Sequence, residues 1–347
     1  MKALRLTEWK SEAELVDVPD PSPGPGQVVI RVGGAGACHS DLHLMHDFEP
    51  GLLPWGPPFT LGHENAGWVA AVGAGVDGFA EGDPVAVYGP WGCGRCRHCM
   101  LGMENYCQRP DLLGAPGGGL GFDGGMAPYM LVPEARWLVP LGDLDPVVAA
   151  PLTDAGLTPY HAVKRSLPKL VPGSTAVAIG VGGLGHLGVQ FLAALSPATV
   201  IAVDQRREAL DLAAKLGAHH TVRSGPDAAA EISELTKGAG AEVVIDFVGV
   251  EATLQLAAAT ARAMGDLTIV GIGGGSLTVG FFAVQYEVSV ATTYWGSRPE
   301  LVEVLALAEA GRVHSQATTY PLEQGPDAYR ALAAGTVEGR AVITPNA

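Results

Sequence analysis

From about residue 155 the chain alternates short apolar runs with amphipathic stretches, and few architectures accept that rhythm. Thr175–Ile179 reads as a strand, Gly182–Leu195 as a helix, Thr199–Val203 as a strand, Arg206–Leu216 as a helix and His220–Val222 as a short strand. Helix Ala228–Thr236, strand Val243–Phe247, helix Glu251–Arg262 and strands Leu267–Val270 and Val288–Thr293 follow. Six strands with intervening helices imply an α/β fold, a doubly wound parallel sheet covered on both faces. At the first turn stands Gly180-Val181-Gly182-Gly183-Leu184-Gly185, which matches G-x-G-x-x-G between a strand and a helix. The first glycine permits the tight turn, the second lets backbone approach a pyrophosphate, and the third lets helix and strand pack closely. The anion would lie on the helix N-terminus, where unpaired N–H groups and the helix dipole favour it. Asp204 closes the next strand at the expected distance, so its carboxylate suits ribose hydroxyls and repels a 2′-phosphate. That selects NAD over NADP. Arg206 and Arg207 beside it are read as caps of the following helix.

Residues 1–154 have a different texture: Val28–Val32, Gly67–Val72, Pro84–Val87 and Met130–Leu131 are short β-like runs between Gly/Pro turns. The expected organisation is a mainly β domain over 1–154, a dinucleotide-binding domain over 155–294, and a tail over 295–347 that returns to the first domain. Helix Pro299–Ala310 opens that tail. The chain has 347 residues, of which 48% are hydrophobic, enough for two cores without staples. Its formal net charge of −15 repels phosphate backbones, which argues against nucleic acid as a partner. The charged start (MKALRLTEWKSEAELVD) is unlike a signal peptide, and glycines and Pro197 interrupt the most apolar stretch. A cytoplasmic protein without a membrane partner is expected.

In a reducing compartment, closely spaced cysteines point to metal before disulfides. Cys93, Cys96, Cys99 and Cys107 are spaced to surround one tetrahedral Zn²⁺, and Gly92, Gly94 and Gly102 let the loop wrap. Four thiolates leave no open position, so this zinc would be structural. An iron–sulfur cluster is the competing reading, without a second redox centre in the sequence to support it. Disulfides come third.

Cys38 stands apart, in Gly36-Ala37-Cys38-His39-Ser40-Asp41, and Gly62-His63-Glu64 follows downstream. Taken singly, such residues are most often structural. The order GACHSDLH, TLGHENAG, four-cysteine lobe and GVGGLG resembles the zinc-containing medium-chain dehydrogenases over essentially the whole chain. It looks closest to bacterial secondary-alcohol dehydrogenases. The resemblance implies a GroES-like catalytic domain, an NAD-binding Rossmann domain, a homotetramer, and two Zn²⁺ ions, one catalytic and one structural. Cys38 and His63 would be catalytic zinc ligands, with Asp154 as the third where many relatives carry Cys. Asp keeps the ligand charge but is harder than thiolate, so zinc would be held less firmly; the plainer reading of Asp154 is a helix N-cap. Glu64 would approach the metal at some stages, or else serve as a carboxylate behind the ligands.

The implied chemistry is hydride transfer between an alcohol carbon and nicotinamide, with zinc as Lewis acid. Ser40 and His43 would carry the proton away, and His39 would face the pyrophosphate. Thr158, Val270, Gly271, Tyr294, Trp295 and Arg340 would contact the cofactor; Arg340 is otherwise an ordinary surface arginine. His46 has no assigned role and reads as a solvated loop residue. Phe48, Trp55, Tyr294 and Trp295 fall in segments expected near the cleft, where aromatic walls favour secondary alcohols and ketones with apolar, even aryl, substituents. A polyol or amino-alcohol dehydrogenase is the alternative within the family. A catalytically silent nicotinamide-binding protein is the alternative outside enzymology, opposed by intact Cys38, Ser40, His43 and His63.

Overall fold

In the computed structural model, which describes all residues from Met1 to Ala347, six strands form one parallel sheet. Their order is His220–Arg223, Thr199–Asp204, Thr175–Ile179, Ala241–Asp246, Ala261–Ile269, Ser289–Thr292. Thr175–Ile179 lies at the centre, flanked by the strand that follows it and by a strand from the second half of the unit. Such a reversal of strand order leaves a crevice at the carboxyl ends, directly where Gly180 begins. Val177, Ile179, Ile201, Val203, Val222, Ile232, Val244 and Leu267 form the buried core between sheet and helices. Each such side chain contributes about 1.5–3 kcal/mol relative to exposure.

This sheet belongs to a compact unit of Thr158–Trp295; a second unit joins Met1–Leu157 to Gly296–Ala347. Within the first, two expected boundaries move. The helix after the glycine turn runs Gly185–Leu195 rather than from Gly182, because Gly180 takes φ +86° and Leu184 is the N-cap. The helix expected over Glu251–Arg262 ends at Thr260, and the next strand starts at Ala261.

In the second unit the long strand Val28–Ala37 is the organising element. It pairs antiparallel with Glu64–Val72, Tyr129–Val132 and Arg340–Thr344. Pro84–Val87 and Leu138–Pro140 extend the sheet on one side and Ala317–Pro321 on the other. The last two strands of the tail, Ala317–Pro321 and Arg340–Thr344, are parallel, and helix Gly325–Ala333 supplies the crossover that parallel pairing requires. The register matters for chemistry: Gly36 faces Glu64, and Ala341 faces Ala37. One end of this sheet therefore gathers Cys38, Glu64 and Arg340 from three distant parts of the chain.

Candidate active site and metal centres

Cys38 leaves the end of Val28–Ala37 and becomes the N-cap of helix His39–His46. Asp41, in the first turn, folds its carboxylate back to accept the Cys38 backbone N–H at 2.9 Å. The other oxygen, Oδ1, lies 3.1 Å from Nδ1 of His63, which directs Nε2 of the imidazole to the opposite side. There Nε2 is 3.5 Å from Oδ2 of Asp154. One ligand atom from each of Cys38, His63, Glu64 and Asp154 lies within 4.8 Å of the others, so one cation fits among them. Burial works against a charged His63, yet Asp41, then Asp154, overrides it and holds its pKa well above the usual histidine value. The donor set of sulfur, nitrogen and carboxylate suits Zn²⁺.

Asp154 follows the short turn Ala150–Thr153, and the next helix begins only at Leu157, so the N-cap reading gives way to a site-facing carboxylate. Ser40 Oγ is 3.0 Å from Cys38 Sγ. His43 pairs through Nδ1 with Asp47 Oδ2 at 2.5 Å on the outer face of the same helix. His46 is exposed but ends that helix instead of sitting in a loop, with Glu12 3.7 Å away.

Arg340 is not the surface arginine that one reading allowed: it is 2% exposed. Its Nε donates to Glu64 Oε2 at 2.9 Å and its Nη2 to Oε1, which also accepts the Ala155 N–H. Burial pushes the Glu64 carboxyl up, to about 7, against the pull of that guanidinium. Burial also opposes the charge on Arg340, but Cys38 and Glu64 outweigh it and keep the pKa well above the usual range. The pairing explains Gly36, since a Cβ there would stand 1.8 Å from Glu64 Oε2.

The four remaining cysteines converge, with all their sulfurs within 4.8 Å of one another. Cys96 and Cys99 sulfurs are 3.4 Å apart and Cys93 and Cys99 sulfurs 4.0 Å apart. A tetrahedral zinc with ~2.3 Å bonds requires separations of about 3.8 Å. Backbone N–H groups of Cys96, Cys93 and Arg109 point at the sulfurs of Cys93, Cys107 and Cys107 at 3.3–3.4 Å. The backbone N–H groups of Cys99 and Gln108 lower the Cys96 pKa to about 6, while burial pushes Cys99 up. A cation would relieve that crowding of thiolate charge. All five cysteines are free thiols in the structure. A Cβ on Gly92 would lie 2.6 Å from Cys99 Sγ, and Gly94 and Gly102 take φ +70° and +74°. Arg136 ties the lobe down through Glu104 and the Gly92 carbonyl.

In the dinucleotide turn the glycines divide their roles as the motif requires. Gly180 has φ +86°, a Cβ on Gly182 would meet open space, and one on Gly185 would collide with the Gly180 carbonyl at 1.7 Å. Gly183 and Leu184 complete the turn, with the Leu184 carbonyl accepting from Leu187 and Gly188. Asp204 Oδ2 accepts the Val181 N–H at 2.8 Å, placing the carboxylate against the turn. Val270 and Gly271 follow their strand on the same carboxyl edge, both donating to the Asp246 carbonyl. Thr158 is buried, Tyr294 is half exposed, and Trp295 is buried with φ +55°. Phe48 and Trp55 do meet, but through Trp9, whose ring centroid lies 6.0 and 6.1 Å from theirs; nothing in the sequence singled out Trp9. The sequence likewise gave no sign of Tyr329, which donates to Asp41 at 2.9 Å.

The model of the alcohol dehydrogenase GroES-like domain matches residues 24–143, and that of zinc-binding dehydrogenases matches residues 183–310. An NAD-dependent alcohol dehydrogenase of Sulfurisphaera tokodaii is 38% identical over 99% of this chain and 100% of its own length. A D-arabinose 1-dehydrogenase (NADP(+)) of Saccharolobus solfataricus is 35% identical over 99% of this chain and 97% of its own. Among solved structures, the alcohol dehydrogenase of Aeropyrum pernix superposes with a TM-score of 0.92 at 39% identity, covering 99% of this chain and all of that one.

Proposed function

Because this chain belongs to the zinc-binding alcohol dehydrogenases with a GroES-like domain, we propose that it interconverts secondary alcohols and ketones with NAD. The observation that carries the reading is the convergence of Cys38, His63 and Asp154 around a cation-sized space, backed by Asp41. Zinc, when bound, supplies Lewis acidity toward an alcohol or carbonyl oxygen, and NAD, when bound, accepts or returns the hydride. Cys38, His63 and Asp154 hold the metal and leave a position for substrate. Arg340 occupies both oxygens of Glu64, so Glu64 reaches the metal only if that pair opens. Ser40, beside the Cys38 sulfur, takes the alcohol proton into the relay, and His43 delivers it to solvent. Asp47 fixes the Nδ1 side of His43 and leaves Nε2 to receive the proton. Asp204 favours NAD by repelling a 2′-phosphate, while His39, Thr158, Val270, Gly271, Tyr294, Trp295 and Arg340 are assigned to the cofactor's surroundings. The four-cysteine lobe holds the structural zinc.

The aromatic group of Trp9, Phe48 and Trp55 favours apolar or aryl substituents. The arabinose dehydrogenase relative keeps the polyol reading open as the second choice. No helix is long and apolar enough to cross a membrane, and five cysteines given to metal instead of disulfides suit a reducing cytoplasm. A homotetramer needs two kinds of interface, and two separate groups of exposed apolar side chains are present: Phe281, Phe282 and Tyr286, and Met100 and Leu101 on the lobe. Sedimentation of the purified protein as a monomer would count against that assembly.

The test of activity is a panel of aliphatic and aryl secondary alcohols, primary alcohols, amino alcohols, polyols and aldoses, followed by NADH formation with zinc measured on the same preparation. Turnover concentrated on apolar secondary alcohols is the expected result. Turnover confined to polyols or sugars would establish the alternative, and two zincs with no NADH from any alcohol would leave a silent nicotinamide-binding protein.

A further inference from the structure

Asp41 is fully buried and its carboxylate addresses two metal ligands at once: the backbone of Cys38 through Oδ2 and the imidazole of His63 through Oδ1. A third donor reaches it from the far end of the chain. Tyr329, on helix Gly325–Ala333, is 2% exposed and places its hydroxyl 2.9 Å from Asp41 Oδ2. That hydroxyl also lies 3.2 Å from Met126 Sδ. It has one hydrogen to give, and an ionised carboxylate is a far stronger acceptor than a thioether, so the bond goes to Asp41.

We propose that Tyr329 is a positioning residue for the catalytic metal ligands, acting through Asp41, so that the C-terminal return of the chain sets how firmly zinc is held. The proposal rests on the reading of Cys38 and His63 as zinc ligands. Oδ2 accepts from both the Cys38 amide and the Tyr329 hydroxyl, so the phenol ties the oxygen that holds the Cys38 backbone to a second, distant element of the chain. Its loss lets the Cys38 amide and the His63 ring drift out of common alignment. The lobe zinc, held by four other side chains, is untouched by this bond.

Tyr329→Phe removes one oxygen and keeps the ring. In the zinc-loaded protein, release of the catalytic zinc to a coloured chelator should accelerate about 3–10-fold, below the 10–100-fold typical of groups bonded directly to a ligand. Release of the lobe zinc should not change, and the melting temperature should fall more in the zinc-loaded than in the zinc-stripped protein. Asp41→Asn should accelerate release further, and Tyr329→Phe should add little on that background. Unchanged release in Tyr329→Phe, or effects of the two substitutions that simply multiply, would overturn the proposal. So would equal destabilisation of loaded and stripped protein, the mark of lost packing alone. If Cys38→Ser retains both zincs, the ligand reading fails instead, and the two failures are thereby distinguished.

Discussion

The two cysteine sites of this protein are built in opposite ways. The lobe takes its four ligands from Cys93 to Cys107, within one loop, and the backbone amides that tune them come from the same loop. The Cys38 site draws ligand and supporting groups from residues 38, 41, 63, 64, 154, 329 and 340, which sheet register, the turn before Asp154 and the packing of helix Gly325–Ala333 bring together. A local site can lose its metal and damage one loop. A site assembled by register depends on the fold of the whole unit, and its ligands can change without unfolding it. On the proposed reading the lobe is placed to stabilise, and the Cys38 site, with three ligands and a carboxylate held back by Arg340, to react.

Substitutions can break that contrast in order of expected size. Cys38→Ser should lower turnover at least about a hundredfold, since Lewis-acid assistance is worth several kcal/mol and each 1.4 kcal/mol is tenfold. Circular dichroism and NAD binding should stay as in the parent; a misfolded variant would mean that the two sites do not divide as described. Cys96→Ser should do the reverse and lower the melting temperature by roughly 5–10 °C, about 2–3 kcal/mol. Turnover per folded molecule should persist. Asp154→Asn removes the ligand charge and should weaken zinc retention at least about tenfold in a chelator competition. Equal retention by the variant would return Asp154 to a structural role. Asp204→Ala, in the other unit, should narrow the preference for NAD over NADP by at least about tenfold, since one charge–phosphate repulsion at about 4 Å is worth about 1 kcal/mol in water and about 4 kcal/mol near a protein surface. An unchanged ratio of kcat/KM for the two cofactors would remove Asp204 from that task.

The same contrast explains what the sequence made legible. The lobe and the dinucleotide turn are contiguous, so spacing alone conveys their geometry, down to the distinct duties of Gly180, Gly182 and Gly185. The parallel sheet was equally readable, because continuous apolar strands, buried on both faces, alternate with helices that bury one face. The Cys38 site was readable only through resemblance. Gly36 marks where Glu64 must fit, yet among 48 glycines it carries no visible label. Arg340 looks like any surface arginine until the two strands that flank Val28–Ala37 bring it within reach of Glu64. Tyr329 lies 288 residues from Asp41, a separation that no local pattern can bridge. Trp9 meets Phe48 and Trp55 only after the N-terminal hairpin has folded against their loop.

The division of labour between the two sites can be read in one experiment: zinc per chain and alcohol-dependent NADH formation, measured together on the parent, Cys38→Ser and Cys96→Ser. Two zincs with turnover in the parent are expected, with one zinc in each variant. Activity should vanish in Cys38→Ser and persist in folded Cys96→Ser. A Cys38→Ser protein that keeps two zincs and turns over alcohol would contradict the account.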